Sequence, residues 1–154
     1  MKGMDLSEFL VKAKINTYAS SGEGSEKRLE DGGRELVYED GNLKYRDIYF
    51  GSDYFIGEEV VWLDGKVAWG MNYYGKTLSK FVSSEKIGAF LKEALKLVIK
   101  NRPFRGPDEL VGGDFKYIDK SAGGIENFEG TEAIFYRGEK VYELKYHGGT
   151  VNKK

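Results

Sequence analysis

Apolar residues recur at helical spacing in two short stretches of this chain and alternate with polar ones through much of the rest. Leu6, Phe9, Leu10 and Ala13 fall at i, i+3, i+4 and i+7, the spacing of a helix with one narrow apolar face. Asp5 stands ahead of them with Glu8 three residues on, a variant of the capping box. Together they predict a helix over 5–16. Behind Ser83, the residues Ile87, Phe90, Leu91, Ala94, Leu95 and Val98 give the same pattern more strongly. Lys92, Lys96 and Lys100 suit the negative end of that helix, and Pro103 bars its continuation, which places the exit at Asn101 and Arg102.

Between the helices the period changes from helical to alternating. Residues 35–39 and 43–50 are rich in β-branched and aromatic side chains and flank Asp40-Gly41, a pair suited to a tight hairpin turn. Asp64-Gly65 is a second such pair, so Leu63 is expected to face Lys66. Counting outward pairs Trp62 with Val67, Val61 with Ala68, Val60 with Trp69 and Glu59 with Gly70. Alternation then puts Val60, Trp62, Val67, Trp69, Met71 and Tyr73 on a core face. Glu59, Val61, Leu63, Ala68, Gly70, Asn72 and Tyr74 fall on the other, a mixed face with small residues at its centre. Residues 19–34 are polar, glycine-rich and aperiodic. They predict a loop, long enough to be either idle or a lid over a site.

The stretch 55–75 occurs twice, at an offset of 73. Phe55, Gly57 and Glu59 recur as Phe128, Gly130 and Glu132. Gly65, Trp69, Tyr73 and Gly75 recur as Gly138, Tyr142, Tyr146 and Gly148. Residues 113–119 match 41–47 at an offset of 72. The chain therefore reads as a tandem duplication of a helix-plus-antiparallel-strands unit, with repeats at about 5–78 and 84–151 inside a single domain, 1–154. The expected class is α+β: a curved antiparallel sheet or half-barrel with two helices packed on its apolar face, because a one-sided sheet must bury that face. The concave space between the halves is a natural place for a ligand.

Composition narrows the function further. At 154 residues the chain suits one domain with one core. Lys and Arg number 24 against 25 Asp and Glu, with no basic stripe, so direct nucleic-acid binding is not expected. No apolar run approaches the ~20 residues of a membrane span, and the first residues lack an apolar signal core. A cytoplasmic location is the expectation. The absence of cysteine removes disulfides, thiol nucleophiles and thiolate metal sites. There is no G-x-S-x-G, no H-E-x-x-H and no nucleotide-binding glycine loop. Nothing calls for a cofactor or a metal.

Two constellations carry candidate chemistry. Around the turn Arg137-Gly138, Glu132 is expected opposite Glu143, with Lys145 and His147 along the same face. A proton shared by the two carboxylates would give acid–base chemistry, and a divalent cation with His147 would give a metal site. The plainer reading is a solvated face on which Lys145 compensates the pair. In the first copy, Asn72 and Tyr74 beside Glu59, over Gly70 and Ala68, form a polar patch on a small-residue floor. Arg46 and Arg105 either supply its countercharge or are surface arginines. Trp62, Trp69 and Tyr73, with Phe135, Tyr142 and Tyr146, either line a pocket or fill the core.

Tyr45-Arg-Asp-Ile-Tyr-Phe-Gly51, Phe55-Ile-Gly-Glu-Glu-Val-Val-Trp62, Met71-Asn-Tyr-Tyr-Gly75, Pro103-Phe-Arg-Gly-Pro107 and Tyr146-His-Gly-Gly149 resemble an uncharacterised prokaryotic family, domain-of-unknown-function family 5680. Some of its members carry a helix-turn-helix domain ahead of this one; here the first helix comes at once, and no such domain is expected. The resemblance implies a sensing or partner-binding module and supplies no catalytic residues. The leading expectation is a non-catalytic small-molecule- or partner-binding module, with its site at Glu59, Asn72, Tyr74, Arg46 and Arg105. The alternative is an enzyme using Glu132, Glu143 and His147. A third is a protein that forms homodimers through an open sheet edge.

Overall fold

A computed structural model describes residues 5–17 and 26–152. Helix α1 (Leu6–Asn16) leads to strands β1 (Lys27–Arg28), β2 (Arg34–Asp40), β3 (Leu43–Gly51), β4 (Tyr54–Leu63) and β5 (Lys66–Thr77). Helix α2 (Ser84–Leu95) follows, then β6 (Glu109–Gly112), β7 (Phe115–Gly124), β8 (Asn127–Tyr136) and β9 (Glu139–Thr150). All nine strands form one antiparallel sheet in the order β1-β2-β3-β4-β5-β9-β8-β7-β6. The fold is α+β, with a curved sheet that does not close. Among the described residues no helix is long and apolar enough to cross a membrane.

The helices begin where their caps predict. The Asp5 carboxylate accepts from the Ser7 amide at 3.2 Å, and the Ser83 hydroxyl from the Lys86 amide at 3.2 Å. The second helix is shorter than its apolar spacing suggests. It stops at Leu95, because the Leu97 and Val98 amides bond to carbonyls three residues back, those of Ala94 and Leu95. That tighter winding still buries Val98. It carries the chain towards a buried turn, 103–106. Of the long loop expected over 19–34, residues 27 and 28 instead pair with Glu35 and Arg34; residues 19–25 lie outside the described part.

The hairpin turns largely follow the expected pairs. Asp64 (φ 50°) and Gly65 (φ 79°) make a two-residue loop with Leu63 opposite Lys66, and Arg137 (φ 49°) and Gly138 (φ 85°) make its counterpart. The β2–β3 turn is displaced by one residue: Asp40 faces Leu43, so Gly41 and Asn42 form the loop.

The register beyond the second turn departs from simple counting. Trp62 faces Val67, but Val61 then faces Trp69, Val60 faces Gly70 and Glu59 faces Met71. Ala68 is an extra residue, a β-bulge that reverses the face assignment of everything beyond it on one strand relative to the other. Val141 is the extra residue at the matching place in β8–β9, where Phe135 faces Lys140 and Ile134 faces Tyr142. Val61, Trp69, Met71 and Tyr73 therefore lie buried together with Glu59 on the helix-covered face. Val60 and Trp62, expected in the core, are half-buried on the other face, where Lys44 and Arg46 sit 5.5 and 5.1 Å from the Trp62 ring.

The core lies between this face and the helices. Phe9, Leu10 and Ala13 of α1 and Ile87, Phe90, Leu91 and Ala94 of α2 join Tyr45, Trp69, Ile134 and Tyr142 in it. Phe104, from the turn after α2, stacks on Phe128 at 3.8 Å between ring centres. At the middle of the sheet β5 pairs with β9, and Tyr73 faces Tyr146. Each tyrosine crosses a glycine on its other neighbour. A Cβ on Gly57 would lie 2.3 Å from Tyr73, and one on Gly130 would lie 2.2 Å from Tyr146. The glycines are needed for that close approach.

Candidate functional site

The two faces of the sheet present two different candidate sites. On the helix-covered face Asp47 of β3 stands opposite Glu59 of β4, and Asp119 of β7 opposite Glu132 of β8. None of the four carboxylates is more than 3% exposed. Buried charge is costly unless it is paired or hydrogen-bonded, and each of these has a cation or a hydroxyl donor against it. Lys14 of α1 reaches Glu59 at 2.8 Å and donates to the Phe104 carbonyl at 2.5 Å. The Tyr73 hydroxyl donates to Asp47 at 2.6 Å, and the Tyr146 hydroxyl to Asp119 at 2.7 Å. Arg105 grips Glu132 through Nε at 3.1 Å and Nη2 at 2.8 Å, a bidentate pair. The Tyr117 and Tyr142 hydroxyls donate to the same carboxylate at 2.5 and 2.7 Å. Arg102 completes the set against Asp119 at 3.0 Å.

Burial dominates the acidities here. It pushes Asp47 up to about 7 and Asp119 up to about 6, with the facing glutamate adding to the rise in each case. It holds Lys14 below its ordinary value despite the pull of Glu59. It also raises the hydroxyls of Tyr45, Tyr117 and Tyr146. This layer ties α1 and the turn after α2 to the sheet through charge. With every member but the partly exposed Arg102 buried, it is a structural brace.

Among the described residues the opposite face carries no helix, and it holds a cleft of about 1320 Å³ that spans both halves of the sheet. Two rows of side chains cross its floor in register. One runs Ile48, Glu58, Asn72, His147, Glu129, Ala122; the other runs Phe50, Ile56, Tyr74, Lys145, Thr131, Lys120. Leu29 and Asp31, from the turn between β1 and β2, reach its rim.

These positions sort the residues singled out from the sequence. Asn72, Tyr74 and Arg46 do line one site, the open cleft. Glu59 does not join them: the bulge at Ala68 turns it to the buried face, where it pairs with Lys14. Arg105 is not a surface arginine: it is buried against Glu132. Glu132 does not face Glu143. The bulge at Val141 sets Glu132 opposite Leu144 on the buried face and Ala133 opposite Glu143. Glu143 lies 3.7 Å from Lys140, and His147 is exposed in the cleft opposite Asn72. The three are thus divided between the two faces. Among the described residues no group of three His, Asp or Glu side chains could hold a metal ion.

Asp47, Asp119, Lys14 and Arg102 were not singled out. A signal existed for the aspartates: each follows a tyrosine by two residues, Tyr45 and Tyr117, in the segments matched at an offset of 72. Alternation puts each on its tyrosine's face. Lys14 and Arg102 gave no such signal, because their partners lie far along the chain.

The sequence model of one family, described as Domain of unknown function (DUF5680), matches residues 47–151. No curated protein and no solved structure matches the chain.

Proposed function

The chain belongs to this family of domains of unknown function, and we propose that it is a non-catalytic binding module whose ligand site is the open-face cleft. The observation that carries the reading is the cleft itself: a concavity of about 1320 Å³ on the face away from the helices, shared by both halves and lined by apolar side chains with polar and charged groups among them. That is the usual make-up of a small-molecule site. Arg46, Asn72 and Tyr74 contribute to it, as does His147 in a binding rather than a catalytic role. The enzyme reading has less to rest on, because Glu132 is held by Arg105 and by the Tyr117 and Tyr142 hydroxyls on the far face.

The two halves fit a tandem duplication. Bulges at Ala68 and Val141, turns at Asp64 and Arg137, and the bonds Tyr73–Asp47 and Tyr146–Asp119 recur at offsets of 72 or 73. In that reading the cleft arises from the joining of the halves. Edge-to-edge dimerisation has less to work with, since the edge strands are only two and four residues long.

A thermal-shift screen against common metabolites tests the site. A ligand at 100 times its Kd stabilises the fold by ~2.7 kcal/mol, and that shift should disappear in Tyr74→Ala and in Asn72→Ala. A hit that survives both substitutions would move the site elsewhere.

A further inference from the structure

From the chemical asymmetry of the cleft we propose that its ligand is an amphipathic organic acid, with an apolar body lying over Phe50, Ile56 and Tyr74 and a carboxylate held between Lys145 and Lys120. The proposal rests on the cleft being the binding site.

Positions 72 or 73 residues apart hold matching residues on the buried face but not on the open one. Ile48 answers to Lys120, Phe50 to Ala122, Ile56 to Glu129, Asn72 to Lys145 and Tyr74 to His147. The result is that one half brings most of the cleft's apolar side chains, with Glu58 and Asn72 beside them, and the other half brings the two lysines. Phe50, Ile56 and Tyr74 stand side by side on three neighbouring strands. They are 38%, 56% and 47% exposed. Such a contiguous apolar strip on an open concave face marks a binding surface. At the spacing of adjacent strands it is ~10 Å long.

The same row continues into charge. Lys145 is the next residue across, then Thr131, then Lys120. Neither lysine has an ion-pair or hydrogen-bond partner among the described residues. Two ammonium groups flanking one hydroxyl repel each other until an anion lies between them. Glu129, one row along, offsets one of the two positive charges. The remaining single charge suits a monoanion. Of the other charged groups in the cleft, Glu58 lies on β4, two strands away from Lys145, Arg46 lies over Trp62, and Asp31 accepts from the Gly33 amide.

Calorimetric titration of the full chain with decanoate and with decanol tests this, because the two share the apolar body and differ in the charged head. Decanoate should bind at least ~10-fold more tightly, charge-assisted hydrogen bonds being the stronger kind. The double variant Lys120→Gln with Lys145→Gln should bring decanoate down to the decanol level and leave decanol unchanged. Ile56→Ser should weaken both. All three positions are exposed or half-exposed at the surface, and an unchanged melting temperature checks that the variants fold. Equal affinity for the two compounds, or a preference that survives the double substitution, overturns the carboxylate assignment. If neither binds while a screened metabolite still depends on Tyr74, the ligand class is wrong and the cleft remains the site. If decanoate binding ignores both Ile56→Ser and Tyr74→Ala, the proposal and the cleft reading fall together.

Discussion

The buried and open faces of this sheet are made by the same strands, yet they follow different rules. On the buried face, residues 72 or 73 apart are alike: Tyr45 and Tyr117, Asp47 and Asp119, Gly57 and Gly130, Glu59 and Glu132, Tyr73 and Tyr146. Each pair meets the same geometric demand twice, such as a glycine under a tyrosine whose hydroxyl reaches an aspartate. No described helix packs on the open face, so less there forces the two halves to agree. One half presents Ile48, Phe50 and Ile56 where the other presents Lys120, Ala122 and Glu129. Likeness between the halves marks what holds the sheet, and unlikeness marks where chemistry can specialise.

That contrast is open to attack at several strengths. The largest effect is expected from Arg105→Leu, which leaves Glu132 buried and uncompensated. Breaking such a pair costs about 3–5 kcal/mol, whereas Arg46→Leu on the open face should stay within ~1 kcal/mol. Urea denaturation of the two variants measures both. Gly57→Ala or Gly130→Ala should come next, because a methyl would press into a buried tyrosine; overpacking of this kind costs about 1–3 kcal/mol.

A pH effect should follow from Asp47. Its folded-state acidity lies at about 7, above the ordinary value of 3.8, so between those limits the folded chain binds more protons than the unfolded one. Stability from this group is present at low pH and lost as pH rises through 7. Asp47→Asn keeps an acceptor for Tyr73 but cannot ionise. Relative to the wild type, its melting temperature should therefore gain as pH goes from 5 to 8, and a parallel pair of curves would contradict the assignment. The smallest stability change belongs to Tyr74→Ala, within ~0.5 kcal/mol as for other exposed positions, although ligand binding should suffer most there.

Local chemistry made much of the fold readable. Asp5 and Ser83 announced the helices, and Asp64-Gly65 and Arg137-Gly138 the hairpins, because caps and turns depend on residues only a few positions apart. The bulges were not readable. Val60, Val61 and Trp62 form an unbroken apolar run, so the pattern holds no polar marker to show where alternation slips. That slip moved Glu59 and Glu132 to the buried face and with them half of the expected site. The partners of Glu59 and Glu132 were equally out of reach, since Lys14 and Arg105 arrive from α1 and from the turn after α2. Asn72 and Tyr74 lay beyond the bulge on β5, where their mutual alternation holds whatever the register, and they do share the cleft.

The pairing of Tyr73 with Tyr146 also bears on how the chain reaches this state. Every other strand pairing in the sheet joins neighbours in sequence, across turns that close quickly. The β5–β9 seam alone among the described strands brings together segments separated by α2 and three strands. Closing so long a loop is the slow part of assembling a sheet. The two groups of hairpins should form early and the seam late, so the cleft that spans it comes into being in the last step of folding.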